Sequence, residues 1–214
     1  VVDSMAYIST SFGVVELNLK REEFGNTYTI GLNVNSVALF EDYIFVCTSA
    51  GLFRGSRGDN LLDNKNWEKL FDNSISALCE YGGKLYCILP DLGFYSVETN
   101  GRLSLLIKNE NFSYMRVAGD RMLVGNSSKV YLFDSVDEYK AYTLPVNSLY
   151  LCPDGKDFWS CNGATGLSRL SFKDGKFYEA LSGVQPNSPI RNYCEYLDFT
   201  TDGGLLVAGG NLNY

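Results

Sequence analysis

The 214-residue chain contains no histidine. That removes the imidazole from Ser-His and Cys-His nucleophile pairs and from the usual nitrogen-ligated metal sites. Positive charge is also scarce: 18 Lys and Arg stand against 25 Asp and Glu, a formal net charge of −7. Phosphate backbones need a basic face, so a nucleic-acid partner is excluded. The cations are scattered, and no short window is basic enough to hold an anionic lipid surface. No apolar run approaches the roughly 18 residues of a transmembrane helix, and no signal peptide stands at the start. The GxSxG, Ser-x-x-Lys, GxGxxG and P-loop motifs are missing.

Hydrophobic residues make up 45% of the chain and aromatics 14%, mostly Tyr and Phe, beside 21 Gly and five Pro. This is a core-forming composition that favours many short strands separated by turns. The length suits one large domain or two small ones. The chain opens inside a strand-like stretch, "VVDSMAYIST", and stops just after another, "LLVAGGNLNY". That is the pattern of a piece of a longer chain, and it makes the missing leader uninformative about compartment.

One stretch recurs. "AYISTSFGVVEL" (Ala6 to Leu17) resembles "IFVCTSAGLFRG" (Ile44 to Gly55), "KLYCILPDLGFYSV" (Lys84 to Val97), "RMLVGNSSKVYLFD" (Arg121 to Asp134) and "DFWSCNGATGLSRLSF" (Asp157 to Phe172). A sixth copy, "GLLVAGGNLNY", begins at Gly204. Periods of this size mark repeat architectures. Each copy is a strand pair joined by a loop, usually Gly-containing. A short apolar strand precedes the pair: Val37–Phe40, Ile75–Cys79, Met115–Ala118, Leu149–Cys152 or Tyr196–Phe199. The connecting turns are Glu41-Asp42, Gly82-Gly83, Gly119-Asp120, Asp154-Gly155 and Asp202-Gly203. A fourth strand closes most units: Thr27–Ile30, Trp67–Phe71, Leu103–Ile107, Ala141–Leu144 or Phe177–Leu181. Four antiparallel strands per roughly 40 residues is the blade of a β-propeller. The expected fold is therefore all-β: five to six blades, as a whole propeller or as part of a larger one. Residues 1–214 form a single propeller domain or a propeller fragment of a longer multidomain chain.

One slot in the repeat holds Ser9, Cys47, Cys87, Gly125, Cys161 and Ala208 in turn. These residues share size and share no chemistry. The expectation is that Cys47, Cys87 and Cys161 are small fillers where inner strands crowd, since unpaired Cys is often fully buried. No CxxC and no His is present to build a zinc site. Six cysteines are an even number that an oxidising compartment would let pair. Cys79 and Cys87 flank the "EYGGK" turn, which does not clearly set them opposite each other.

Other motifs are weaker. Glu22, Glu23, Asp137 and Glu138 could supply a glycosidase-type carboxylate pair, but polar inter-strand loops favour plain solvated surface. Asp59 to Trp67, "DNLLDNKNW", has oxygen ligands without the Gly and terminal Glu of an EF-hand loop. Arg57-Gly58-Asp59 reads as turn residues or as an adhesion tripeptide. Asn111 and Asn126 head Asn-x-Ser sequons. Asp3-Ser4-Met5 and Asp134-Ser135-Val136 resemble the Asp-Ser-apolar O-glycosylation acceptor of Bacteroidota envelope proteins.

Two long stretches carry a resemblance: "YISTSFGVVELNLKREEFGNTYTIG" (Tyr7 to Gly31) and "SGVQPNSPIRNYCEYLDFTTDGGLLVAGG" (Ser182 to Gly210). Together they resemble the N-terminal propeller region of PorZ-like proteins. Thr48, Gly51 and Leu52, with Thr165, Gly166 and Leu167, also resemble the two-component-regulator propeller repeat. There Trp159 keeps the aromatic, while Cys47 and Cys161 replace its glycine. The resemblance implies a non-enzymatic, cofactor-free member of the type IX secretion attachment complex, at the periplasm or outer-membrane surface. Its partners would be a sortase or other envelope proteins and lipopolysaccharide. Such proteins carry two propellers and a terminal β-sandwich. The alternative is the extracellular, oligosaccharide-sensing propeller of a hybrid two-component regulator. Within Pro186 to Tyr193, Arg191 can fork onto a carboxylate or phosphate, and Tyr193 can stack on a sugar. Arg191, Asn192 and Tyr193 are thus the candidate ligand-binding residues. Against that, Arg191 can pair with a neighbouring carboxylate and Tyr193 can fill a gap between blades.

Overall fold

A computed structural model describes residues 4–108, 110–136, 138–184, 194–199 and 204–208. The chain divides into two compact units, Val1–Asn111 and Phe112–Tyr214. Three sheets build the first unit. They are β1 (Met5–Ser9), β2 (Gly13–Asn18) and β3 (Glu23–Thr29); then β4 (Val34–Phe40), β5 (Tyr43–Thr48), β6 (Gly51–Ser56) and β7 (Trp67–Phe71); then β8 (Ala77–Tyr81), β9 (Lys84–Leu89), β10 (Gly93–Val97) and β11 (Leu103–Lys108). The second unit holds β12 (Tyr114–Ala118), β13 (Arg121–Gly125), β14 (Lys129–Ser135) and β15 (Glu138–Thr143); β16 (Tyr150–Asp154), β17 (Asp157–Cys161), β18 (Leu167–Lys173) and β19 (Lys176–Val184); and the pair β20 (Tyr196–Phe199) and β21 (Leu205–Ala208).

Every sheet runs in chain order with antiparallel neighbours, so the described residues give four complete four-stranded sheets, one of three strands and one of two. The repeat read from the sequence is this meander. The turn chemistry explains its corners. Gly82 and Gly83, at φ 58° and 75°, make the β8–β9 hairpin, and Gly119 and Gly155 take φ 62° and 61° in theirs. Gly13, Gly51 and Gly93 open β2, β6 and β10, the last strand but one of their sheets, at positive φ. A side chain there would run into the carbonyl of Tyr28, Phe71 or Ile107 on the last strand. The glycine of the "AG" and "LG" pairs is therefore a place where two backbones meet too closely for a Cβ.

The core lies between the sheets. On β5 the side chains alternate, as the pleat requires. Ile44 and Val46 join Val14, Val34 and Trp67 in a cluster with the first sheet. Phe45 and Cys47 join Leu78, Leu85 and Cys87 in a cluster with the third. β5 and β9 are consequently buried on both faces, with Ile44 through Cys47 and Leu85 through Leu89 no more than 2% exposed. Burial at this level is worth roughly 1.5–3 kcal/mol for each large aliphatic or aromatic side chain. In the second unit, Leu123, Leu132, Leu151, Phe158, Leu170 and Leu197 share one core.

The slot residues follow this logic. Cys47, Cys87 and Cys161 are fully buried, and Gly125 is buried. Ser9 is half-buried and Ala208 exposed; each lies in a strand that pairs, among the described residues, on one side only. The filler is more specific than crowding alone predicts. In the second unit Tyr114, Tyr150 and Tyr196 stand directly opposite Gly125, Cys161 and Ala208 in the ladder. A Cβ on Gly125 would overlap the Tyr114 hydroxyl and ring.

One expectation needs correction. Cys161 is not a lone filler, because it forms a disulfide with Cys194, with Cα atoms 5.2 Å apart. Cys79 and Cys87 remain thiols. Their hairpin sets Cys79 against Tyr86 and Cys87 against Leu78, so they are never opposite.

Candidate functional site

A polar constellation gathers on the first strands of the second unit. Arg116, from the "YMRVA" of β12, donates to the Tyr150 hydroxyl at 3.2 Å, to the Leu197 carbonyl at 3.0 Å and to the Asp198 carboxylate at 2.6 Å. β12, β16 and β20 are thereby tied by one guanidinium. Burial works against the charge of Arg116, but Asp198 and Tyr150 outweigh it and hold its pKa above the ordinary value. Desolvation pushes the Asp198 carboxyl up, while Arg116 and the Phe199 N–H pull it down, and the net value is low. Burial raises the Tyr150 phenol, with the Tyr196 hydroxyl adding to the rise.

The tyrosines opposite the slot form a ladder. Ring centroids are 5.6 Å apart between Tyr114 and Tyr150 and 4.5 Å between Tyr150 and Tyr196. The first two are buried, and Tyr196 is 45% exposed. Sequence reasoning missed this group, although aligning the repeats on the slot places a tyrosine at the same ladder position in three copies. A lone arginine in an apolar strand was the other available signal.

Arg191, Asn192 and Tyr193, the residues singled out from the sequence, lie outside the described residues. Their flanks are fixed on both sides. Val184 pairs with Leu167. Cys194 is fully buried, exchanges two backbone hydrogen bonds of 3.1 Å with Gly163 and carries the disulfide.

The remaining motifs resolve locally. In the Asp59 to Trp67 loop the Asp63 carboxylate accepts from the Lys65 N–H, and the Trp67 indole donates to the Leu61 carbonyl. The loop is thus closed on itself. Among the described residues no group of three or more His, Cys, Asp or Glu could hold a metal ion. Arg57, Gly58 and Asp59 are exposed in the turn after β6. Glu22, Glu23 and Glu138 are exposed, and Asp137 lies outside the described residues. The one buried carboxylate described, Glu16, accepts from the Tyr28 hydroxyl at 2.6 Å and the Asn26 amide at 3.0 Å. Burial, then the bond to Glu16, raises the Tyr28 phenol. No helix among the described residues is long and apolar enough to cross a membrane.

The first unit carries an open groove of about 560 Å³ between its second and third sheets, lined by Phe40, Lys84, Ser96, Glu98, Asn100 and Ser104 among others.

Comparison with known proteins gives this geometry a context. Residues 1–68 match the family model of the N-terminal β-propeller domain of PorZ, of the type IX secretion system. No curated protein matches the chain. Among solved structures, PorZ, a bacterial surface component of the type IX secretion system of Porphyromonas gingivalis, superposes with a TM-score of 0.71 at 21% identity. The match covers all of this chain and 29% of PorZ. The extracellular domain of the hybrid two-component system BT4673 of B. thetaiotaomicron gives a TM-score of 0.69 at 14% identity, over 98% of this chain and 30% of that one. That of BT3049 gives 0.66 at 12%, over 97% and 31%. The chain thus spans less than a third of each of these proteins. It has the β-propeller fold, is similar over its whole length to PorZ, and is matched over residues 1–68 by the N-terminal propeller of that family.

Proposed function

We propose that the chain is a non-enzymatic propeller scaffold of a Bacteroidota cell-envelope protein, serving type IX secretion and cargo attachment through lipopolysaccharide or protein partners. The observation that carries this reading is the match to the PorZ propeller model together with similarity to PorZ along the whole chain. The missing histidine, which removes the commonest general base, is in keeping with binding rather than catalysis. A stiff set of sheets needs only loop side chains to recognise a partner, and Arg191, Asn192 and Tyr193 are the residues assigned that role. Anchors at Val184 and Cys194 would lower the entropy cost of presenting them. The test is a pull-down from the full-length protein with envelope partners and with lipopolysaccharide. Arg191→Ala should weaken capture, and unchanged capture of both would remove the assignment.

The second reading is an oligosaccharide-sensing extracellular propeller, favoured by the likeness to the BT4673 domain. The sequence that follows Tyr214 in the full-length gene separates the two. A transmembrane helix and kinase there would favour the sensor, whereas a second propeller and a short β-sandwich would favour the secretion scaffold.

A further inference from the structure

We infer that the groove between the second and third sheets of the first unit is a binding site for a neutral saccharide unit. The inference rests on the scaffold reading only in needing a ligand-binding propeller, and it uses none of the residues assigned there. The volume, about 560 Å³, falls within the range of small-molecule sites.

The hydroxyls of Ser96 and Ser104 and the amide of Asn100 are polar groups of the right kind. Ser96 on β10 and Ser104 on β11 are directly paired across the ladder. Neither hydroxyl has a hydrogen-bond partner among the described residues. Two adjacent hydroxyls that each donate and accept match the adjacent hydroxyls of a sugar ring, which also do both. Asn100 spends its carbonyl on the Arg102 N–H at 2.9 Å, leaving an amide NH₂ with one long 3.5 Å contact to Glu98. Phe40 supplies an apolar surface for the C–H face of a sugar ring.

The charge lining the groove selects against ions. Lys84 and Glu98 contribute one charge of each sign, so neither an anion nor a cation meets an excess of opposite charge. The wall is also built in advance. Arg54, on the second sheet, donates to the Thr99 carbonyl, and the Thr99 hydroxyl donates to Glu41 at 3.1 Å. The Gly101 N–H closes the turn on the Glu98 carbonyl at 2.8 Å. Gly101, at φ +86°, lies so close to Leu70 that a side chain would collide with it. A turn already held to the neighbouring sheet loses little freedom when a ligand arrives.

The test is a titration of the 214-residue chain with neutral mono- and disaccharides, followed by isothermal calorimetry and amide chemical shifts. Glucuronic acid and inorganic phosphate serve as charged comparators. Saturable binding in the millimolar range or tighter is expected for at least one neutral sugar, with shifts at Ser96, Asn100 and Ser104. Ser96→Ala with Ser104→Ala should weaken it about tenfold or more, through the loss of two hydrogen bonds. Both side chains are at least partly exposed, so the variant keeps its fold, which circular dichroism checks. No saturable binding of any neutral sugar, tighter binding of the charged comparators, or full binding by the double variant overturns the inference. None of these outcomes bears on Arg191, which the pull-down addresses separately.

Discussion

Replacing Gly125 with alanine tests the demand for a small side chain in the slot. A methyl group there would stand 2.8 Å from Cε2 of Tyr114, where ordinary contact begins near 3.4 Å, and would overlap the ring more severely nearer its hydroxyl. The ring must therefore move by at least half an ångström, and it has little room. Tyr114 is 3% exposed and packs against Tyr150 at 5.6 Å. Overpacking of this kind costs about 1–3 kcal/mol. For a chain of this size, 2 kcal/mol corresponds to a fall in Tm of about 4–8 °C. Urea unfolding followed by intrinsic fluorescence gives the free energy, and a thermal scan gives the midpoint. Shortening the ring should restore part of the loss. Tyr114→Leu destabilises by itself, but in the Gly125→Ala background it should cost less by about 1 kcal/mol or more, because contacting residues are not additive. A Gly125→Ala protein within about 0.5 kcal/mol of the parent, or strictly additive variants, would refute the claim that size governs this position.

Gly51→Ala should destabilise by more than an ordinary surface change, since the positive φ and the Phe71 carbonyl both oppose a side chain; a Tm equal to that of the parent would count against the close approach of β6 and β7. Loss of the disulfide through Cys161→Ser with Cys194→Ser should lower stability by about 4 kcal/mol on loop-closure entropy for a 33-residue separation, read from urea midpoints. In native protein at pH 8, thiol labelling should leave Cys47 and Cys87 unmodified, because burial pushes the Cys47 thiol up to about 12 and raises Cys87 as well; four thiols should react in denaturant without reductant. The depressed Asp198 carboxyl adds stability that is fully present above its unfolded value near 4 and is lost as pH falls through the lower folded value. Acid unfolding of the parent should therefore show an extra decline below about pH 4 that Asp198→Asn lacks, modest because the carboxylate is 43% exposed.

The meander was readable because each sheet is made of consecutive strands, so the signal is local. Trp67–Phe71 and Tyr196–Phe199 appear with the bounds that alternation and turn residues imply. Outer strands ran longer than expected, as with Lys176–Val184 against Phe177–Leu181. Their exposed residues carry no burial pattern, while backbone pairing continues past the last apolar side chain. The slot was legible as a list of small residues, but its occupant was not, because Tyr114 and Gly125 meet only across a ladder. The disulfide was hidden for the same reason. Cys161 matched the filler pattern perfectly, and nothing local says that Cys194 returns to it. Arg116 reaches Asp198 across 82 positions of sequence, and no periodicity spans that distance. The groove depends on the Glu98–Arg102 turn resting on Leu70, a contact that local sequence does not encode.

The consecutive ordering of strands within every sheet has a consequence for how the molecule is made. A polypeptide that emerges from its N terminus can finish one sheet before the next has left the ribosome or translocation pore, since among the described residues no sheet waits for a distant partner. Nascent edges are then covered in turn by the next few dozen residues, and assembly proceeds like a zip rather than a collapse. Cys161 and Cys194 join late in that sequence, fastening the last described strand pair to the sheet completed just before it.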